Sequence, residues 1–302
     1  MAKIAVELKD ALARRAVEGA PGQTNVRVLA RGDGWKVEDV ICTSGPQDRP
    51  FEEQHAGVTI AIVAAGSFQY RGAIRHSRGY ELMTPGSLVL GNAGQCFECG
   101  HEHGAGDRCI SFWYAPDFFE RLASNAGARA RGLDFRMLRL PPLRHMSSLI
   151  ARAYAGLAAS SQTLINVAWE ELSAQLAVQT FQLAAGLLPQ PNSAPPAAVA
   201  RVTRSLRMIE NHPEASLTLA KLAREARLSP YHFLRTFESL TGVTPHRYIL
   251  RARLREAAMR LAVEPTRILD IALDCGFGDV SNFNHAFRAE FNVSPRAYRR
   301  LK

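Results

Sequence analysis

Long apolar runs are missing from this chain. No stretch fills the roughly 20 residues that a helical bilayer crossing needs, and the first twenty residues carry no apolar secretory segment. Cysteine is sparse, with five residues in 302. That is too few to staple a fold of this length, so a reducing, cytoplasmic setting is expected rather than a secreted disulfide scaffold. At 302 residues the chain exceeds the usual size of one hydrophobic core, and two domains are expected.

Excess charge of either sign is nearly absent from the first two thirds. Before Pro196 there are 19 Lys and Arg against 18 Asp and Glu, whereas from Pro196 onward there are 18 against 10. Almost all of the net +9 therefore lies beyond PQPNSAPPA, residues 189–197, which reads as a linker. A basic C-terminal third on a near-neutral body points to a polyanionic partner for that third.

What is present there is a repeat. Phe233, Phe237, Thr244, Pro245 and Tyr248 recur fifty residues later as Phe283, Phe287, Ser294, Pro295 and Tyr298. Leu222 and Ala223 recur forty-nine residues later, as Ile271 and Ala272, which places a one-residue length difference in the turn between two helices. Leu219, Leu222, Ala223 and Ala226 follow the spacing of one buried helical face, and Ile268, Ile271, Ala272 and Cys275 repeat it. Ser229 before Pro230 is a helix start signal, and Thr244-Pro245 and Ser294-Pro295 repeat it, with Asp279 as the corresponding cap in the second unit. Each half thus reads as helix, turn, helix. Pro245 to Leu261 reads as one rigid helix between them, with Leu250, Leu254, Ala257, Ala258 and Leu261 inward.

The ordered occurrence of LA, S with R-x-F, G-x-(T/S)-P-x-x-Y, a basic linker helix, I-A and GF-x-D-x-x-x-F makes residues 200–300 resemble the DNA-binding domain of the AraC/XylS family of bacterial regulators. In that family the second helix of each unit reads bases. The resemblance implies double-stranded promoter or operator DNA and RNA polymerase as partners, with Tyr231, His232, Leu234 and Arg235 as the reading face of the first unit and Val280, Ser281, Asn284 and His285 as that of the second. Their chemistry agrees. Arg235 suits a bidentate contact to guanine and Asn284 suits adenine, while Ser281 and Arg288 suit phosphates and fix register. His285 stands where the family pattern commonly has arginine; a neutral imidazole donates one hydrogen bond, so the second unit is expected to make fewer base contacts.

Before the linker the pattern changes to short apolar runs, VRVLA, WKVEDVIC, VTIAIVAA, YELM, SLVL and RCISFWY, punctuated by glycines including Gly79. Residues 26–115 are expected to form a sandwich or barrel. Alongside the C-terminal match, TPGSLVLGNAG resembles a cupin-type jelly roll that serves as a sensing domain, although the full metal motif of cupin enzymes is not present in its usual form. Residues 143–188 read as helical, with Leu149, Ala153, Leu157, Leu172, Leu176 and Leu183 forming either a lid on the sheet or a stripe that pairs two chains into a homodimer. The fold class is therefore α+β and multidomain: a sensing and dimerisation domain over 1–188, a linker, and an all-α domain over 198–302. The first twenty residues also read as a helix, with Ile4, Leu8 and Leu12 on one face.

The segment CFECGHEHGAGDRC concentrates cysteine and histidine. If Cys99 to His103 is a strand, then Cys99, His101 and His103 share a face, and a turn through Gly106 returns Cys109 opposite, a set suited to zinc or another transition metal. Redox sensing by Cys99 and Cys109 is the alternative, and partnerless thiols are a third reading. Either signal would make this domain the receiver of a small effector. A cupin-type metal enzyme, an alkyl-accepting DNA repair regulator and an architectural DNA-binding protein are the competing functions; the first leaves the repeat unexplained, and the second lacks its Pro-Cys nucleophile motif. The chain is read as a regulator, with activation favoured by family analogy, and not as an enzyme.

Overall fold

The computed structural model describes residues 2–72, 80–125, 134–159, 168–186 and 195–300. Gly79, Leu188, residues 160–167 of the expected helical segment and residues 189–194 of the expected linker lie outside that set. The chain folds as two compact units, one of Ala5–Pro141 with Ala168–Pro195 and the other of Pro142–Val167 with Pro196–Lys302, to which Met1–Ile4 also belongs.

In the β-rich unit, helix α1 (Ala2–Glu18) precedes strands β1 (Thr24–Gly32), β2 (Trp35–Cys42), β3 (Phe51–Gln54), β4 (Val58–Gly66), β5 (Phe68–Gly72), β6 (Tyr80–Met83), β7 (Leu88–Gly91), β8 (Cys96–Gly100) and β9 (Asp107–Tyr114). Helix α2 (Pro116–Asn125) and the short β10 (Arg139–Leu140) follow, and α4 (Trp169–Gly186) completes the unit. The strands make two antiparallel sheets, ordered β1-β2-β9-β4-β7-β10 and β3-β8-β5-β6. Ala61, Val63, Val89 and Cys109 of the first pack against Phe68, Tyr70, Met83 and Cys99 of the second, so the apolar alternation of each strand closes a sandwich core. The six apolar runs of the sequence are all strands. Strands β3 and β5 are not legible in the sequence because FEEQ and FQYRG mix polar residues into short segments, and β8, considered over Cys99 to His103, lies earlier at Cys96–Gly100.

The helical unit holds α3 (Ser147–Ala159), α5 (Pro196–Asn211), α6 (Leu219–Glu225), α7 (Pro230–Thr241), α8 (Pro245–Val263), α9 (Ile268–Asp274), α10 (Val280–Phe291) and α11 (Pro295–Arg300). The expected helix pair over 143–188 is therefore split: α3 packs on α8 and α10, with Ala151 in the core formed by Leu254, Ala258, Phe283 and Phe287, while α4 belongs to the β-rich unit. Leu149, Ala153 and Leu157 on α3 and Leu172 and Leu176 on α4 are buried, while Leu183 on α4 is half-buried.

The repeat is visible in the ring geometry. Phe237 meets Tyr248 edge-on at 5.7 Å and 83°, and Phe287 meets Tyr298 at 5.4 Å and 79°. Phe233–Phe237 and Phe283–Phe287 lie at 5.5 and 5.4 Å. Such pairs contribute about 1 kcal/mol each beyond area burial.

The length difference falls on one residue. Arg227 and Gly276 both take left-handed backbone, φ 52° and 83°. The next residue in each unit returns its N–H to the preceding helix, Leu228 to Ala223 O and Phe277 to Ala272 O. Ser229 then caps α7 directly, whereas Gly278 intervenes before Asp279 caps α10. Equivalent positions thus carry different constraints. A Cβ on Gly276 would sit 2.6 Å from the Glu214 carbonyl oxygen, so Gly276→Ala should cost about 2 kcal/mol through left-handed strain and overpacking together. Arg227→Ala, which adds no Cβ, should stay within about 0.5 kcal/mol. Urea unfolding of the two variants checks this, and equal losses would refute it.

Candidate nucleic-acid interface

Helices α7 and α10 present the residues singled out from sequence. Tyr231, His232 and Arg235 are exposed on α7 and Leu234 is half-buried; Val280, Ser281, Asn284, His285 and Arg288 are exposed on α10. Both helices are fixed behind that face by Phe233, Phe237, Phe283 and Phe287, which are fully buried. Their N-termini are set by side chains: Ser229 Oγ accepts from His232 N–H, and Asp279 Oδ1 accepts from Asn282 N–H at 2.7 Å. Their C-termini stop at left-handed Gly242 and Asn292, again fifty residues apart. The Arg235 guanidinium lies 5.9 Å from the centre of the Tyr231 ring one turn earlier, which restricts where it points.

The linker helix α8 distributes its arginines otherwise than composition suggests. Arg253 donates to three carbonyls, Pro213 O at 2.6 Å, Gly276 O at 2.8 Å and Ala215 O at 2.9 Å. Arg251 pairs with Glu290 at 3.1 Å and donates to Pro142 O. Arg255 faces Glu210 at 3.5 Å, and Arg260 bridges Glu264 and Asp274 at 3.0 and 2.9 Å. Four of the cations that signalled a polyanion partner therefore hold the unit together. The exposed basic side chains are Lys221, Arg224, Arg235, Arg247, Arg288 and Arg296 among others, and Arg247 and Arg296 at the first turns of α8 and α11 were not anticipated.

A family model described as a helix-turn-helix domain matches residues 222–301. The chain is 37% identical over 100 residues to the transcriptional activator RhaS of Klebsiella pneumoniae, covering 33% of this chain and 36% of that protein. It is 38% identical over 94 residues to the Transposon Tn10 TetD protein of Escherichia coli, covering 31% of this chain and 68% of that protein. The chain belongs to the AraC/XylS family. Among solved structures, a transcriptional regulator of Chromobacterium violaceum described as containing an AraC-type DNA-binding domain aligns at 28% identity and a TM-score of 0.33, over 34% of this chain and 93% of that one. The match to RhaS, like that to the transcriptional regulator LumQ of Photobacterium leiognathi, spans about a third of the relative's length. The AraC-type assignment therefore concerns the helical repeat.

Outside the AraC-type repeat, the cysteine and histidine cluster is arranged differently from the expectation. Strand β8 stops at Gly100, and His101 begins a turn closed by Gly104 N–H to His101 O. The strict alternation that would place Cys99, His101 and His103 on one face is thereby broken. Cys99 and Cys109 sit in the apolar core between the sheets. His101 Nε2 lies 2.7 Å from Asp107 Oδ1, and His103 lies by Glu102 at 3.9 Å. Cys96 is exposed. Among the described residues, the donor set that does converge is Cys42, His101 and Asp107. Burial, reinforced by the Asp107 carboxylate, raises the Cys42, Cys99 and Cys109 thiols above the usual thiol range, which disfavours the thiolate that redox sensing needs. His55, unmarked in the sequence, is buried against Tyr70 with Nε2 2.6 Å from the phenol oxygen, and burial lowers its pKa to about 4.

Proposed function

We propose that this chain is a sequence-specific DNA-binding transcription regulator whose helical unit reads double-stranded DNA through α7 and α10. The observation that carries the proposal is the pair of exposed recognition faces on equivalent, side-chain-capped helices, joined by one continuous helix. Two such helices suit successive major grooves on one side of the duplex, roughly 34 Å apart. Tyr231, His232, Leu234 and Arg235 supply the first reading face and Val280, Ser281, Asn284 and His285 the second, with Arg288 on phosphate.

The β-rich unit, read as a cupin-like sandwich, receives a small effector. Activation, with RNA polymerase as a further partner, follows the relatives named as activators. Homodimerisation belongs to the same reading, since pairing two chains raises the effective concentration of reading helices on DNA. Selection of bound sequences from a random oligonucleotide pool tests the central claim. The full chain should enrich two short conserved segments about one helical turn apart, and an affinity for selected DNA no better than for scrambled DNA would overturn it.

A further inference from the structure

The sandwich interior holds a donor set assembled across three segments. Cys42 ends β2, Asp107 begins β9, and the two are register partners in neighbouring strands. His101 is delivered by the turn that follows β8. Gly106 N–H donates to Ser44 O at 2.8 Å, tying the segment just after Cys42 to the segment just before Asp107. All three side chains are buried, and one donor atom from each lies within 4.8 Å of the other two.

Donors around a four-coordinate ion, with bonds of about 2.0 to 2.3 Å, stand roughly 3.3 to 3.7 Å apart. The shortest separation here is 2.7 Å, His101 Nε2 to Asp107 Oδ1. Spreading that pair by about an ångström, with the remaining separations already within 4.8 Å, opens a coordination site with no change of backbone register. One sulfur, one imidazole and one carboxylate form the mixed set that borderline divalent ions prefer, whereas calcium and magnesium take oxygen alone. The other carboxylate oxygen of Asp107 accepts from the Cys109 thiol at 3.3 Å, as ligating carboxylates are commonly oriented by a further hydrogen bond.

We propose that Cys42, His101 and Asp107 bind one divalent transition-metal ion of the zinc class, with Cys109 as a positioning residue for the carboxylate. His101 is shared with the set expected from sequence; Cys42, fifty-nine residues earlier, replaces its sulfurs. Binding displaces the Cys42 proton to solvent; the proton that His101 Nε2 shares with Asp107 moves to Nδ1, freeing Nε2 as a ligand, and the His101–Asp107 hydrogen bond gives way to two bonds to the metal. The ion's meaning as an effector rests on the DNA-binding reading; its occupancy does not.

The full chain, stripped with chelator and kept reduced, is titrated with zinc against a chromophoric chelator and, separately, with cobalt(II). One ion per chain is expected, and the cobalt form should show a thiolate charge-transfer band together with the intense visible bands of four-coordination. Cys42→Ser should abolish the charge-transfer band, and His101→Gln and Asp107→Asn should each weaken zinc binding by at least about tenfold. Cys109→Ser should keep the band while weakening affinity, and Cys96→Ser, at an exposed position, should change neither. Wild-type protein without stoichiometric metal, or without the thiolate band, overturns the proposal whether or not any variant folds. So does a band that survives Cys42→Ser. DNA binding by the metal-free chain is measured in parallel, so failure here stays separate from failure of the regulator assignment.

Discussion

Arg235→Ala is expected to lower affinity for the selected DNA by roughly 5- to 150-fold while leaving affinity for scrambled DNA nearly unchanged, because one bidentate guanine contact is worth about 1 to 3 kcal/mol of discrimination. The side chain is exposed on α7, and stacking over Tyr231 at 5.9 Å reduces the orientations it must give up on binding. The loss should fall on one base position. Substituting that base should cost the wild type about as much as the mutation does, and should cost the Arg235→Ala protein little further. Arg288→Ala is the contrast. On α10 it should weaken all sequences alike and reduce the slope of log affinity against log salt by about 1. Fluorescence anisotropy on cognate, single-substituted and scrambled duplexes at several salt concentrations makes both measurements. Equal losses on cognate and scrambled DNA for Arg235→Ala would remove it from base reading.

Arg255→Met should destabilise the helical unit by about 3 to 5 kcal/mol at neutral pH, the usual cost of leaving one partner of a buried ion pair alone. The Arg255 and Glu210 side chains are 4% and 14% exposed and 3.5 Å apart. Burial would lower the Arg255 pKa, but Glu210, with Tyr154, Tyr248 and Glu290, keeps it above its ordinary value. Burial pushes the Glu210 carboxyl up, against the pull of Arg255 and Tyr248. The pH dependence follows from that direction. A carboxyl whose pKa is raised on folding leaves stability intact below its ordinary value of 4.5 and subtracts from it as pH rises through the folded value. Removing Arg255 raises the folded value further, so the loss should be larger at pH 7 than near pH 4.5. Urea denaturation at the two pH values, with the Arg255→Met/Glu210→Leu double variant recovering most of the loss, checks this. A loss independent of pH would mean that packing against Tyr248, not charge, sets the cost.

The repeat was legible in sequence because its determinants are local. Ser229 before Pro230, Asp279, and phenylalanines four residues apart specify caps and faces within one or two turns of themselves, and the structure places each as expected. The inward arginines were not legible. The partners of Arg255 and Arg251, Glu210 and Glu290, lie 45 and 39 residues away in sequence, and composition cannot distinguish a buried cation from one facing solvent. The same distance hid Cys42, which meets His101 only through the pairing of β2 with β9. Short polar strands such as β3 carry too little alternation to be recognised, since their register is dictated by the strand beside them.

Arg253 grips the segment ahead of α6 and the turn before α10 with a single guanidinium. That makes the distance between the two reading helices a property of the fold rather than of a tether, and on the proposed function it sets the grammar of the target. A site for this chain would tolerate substitutions within either half more readily than insertions between them. Five added base pairs would turn one half to the far side of the duplex, and ten would restore the phase yet leave it out of reach.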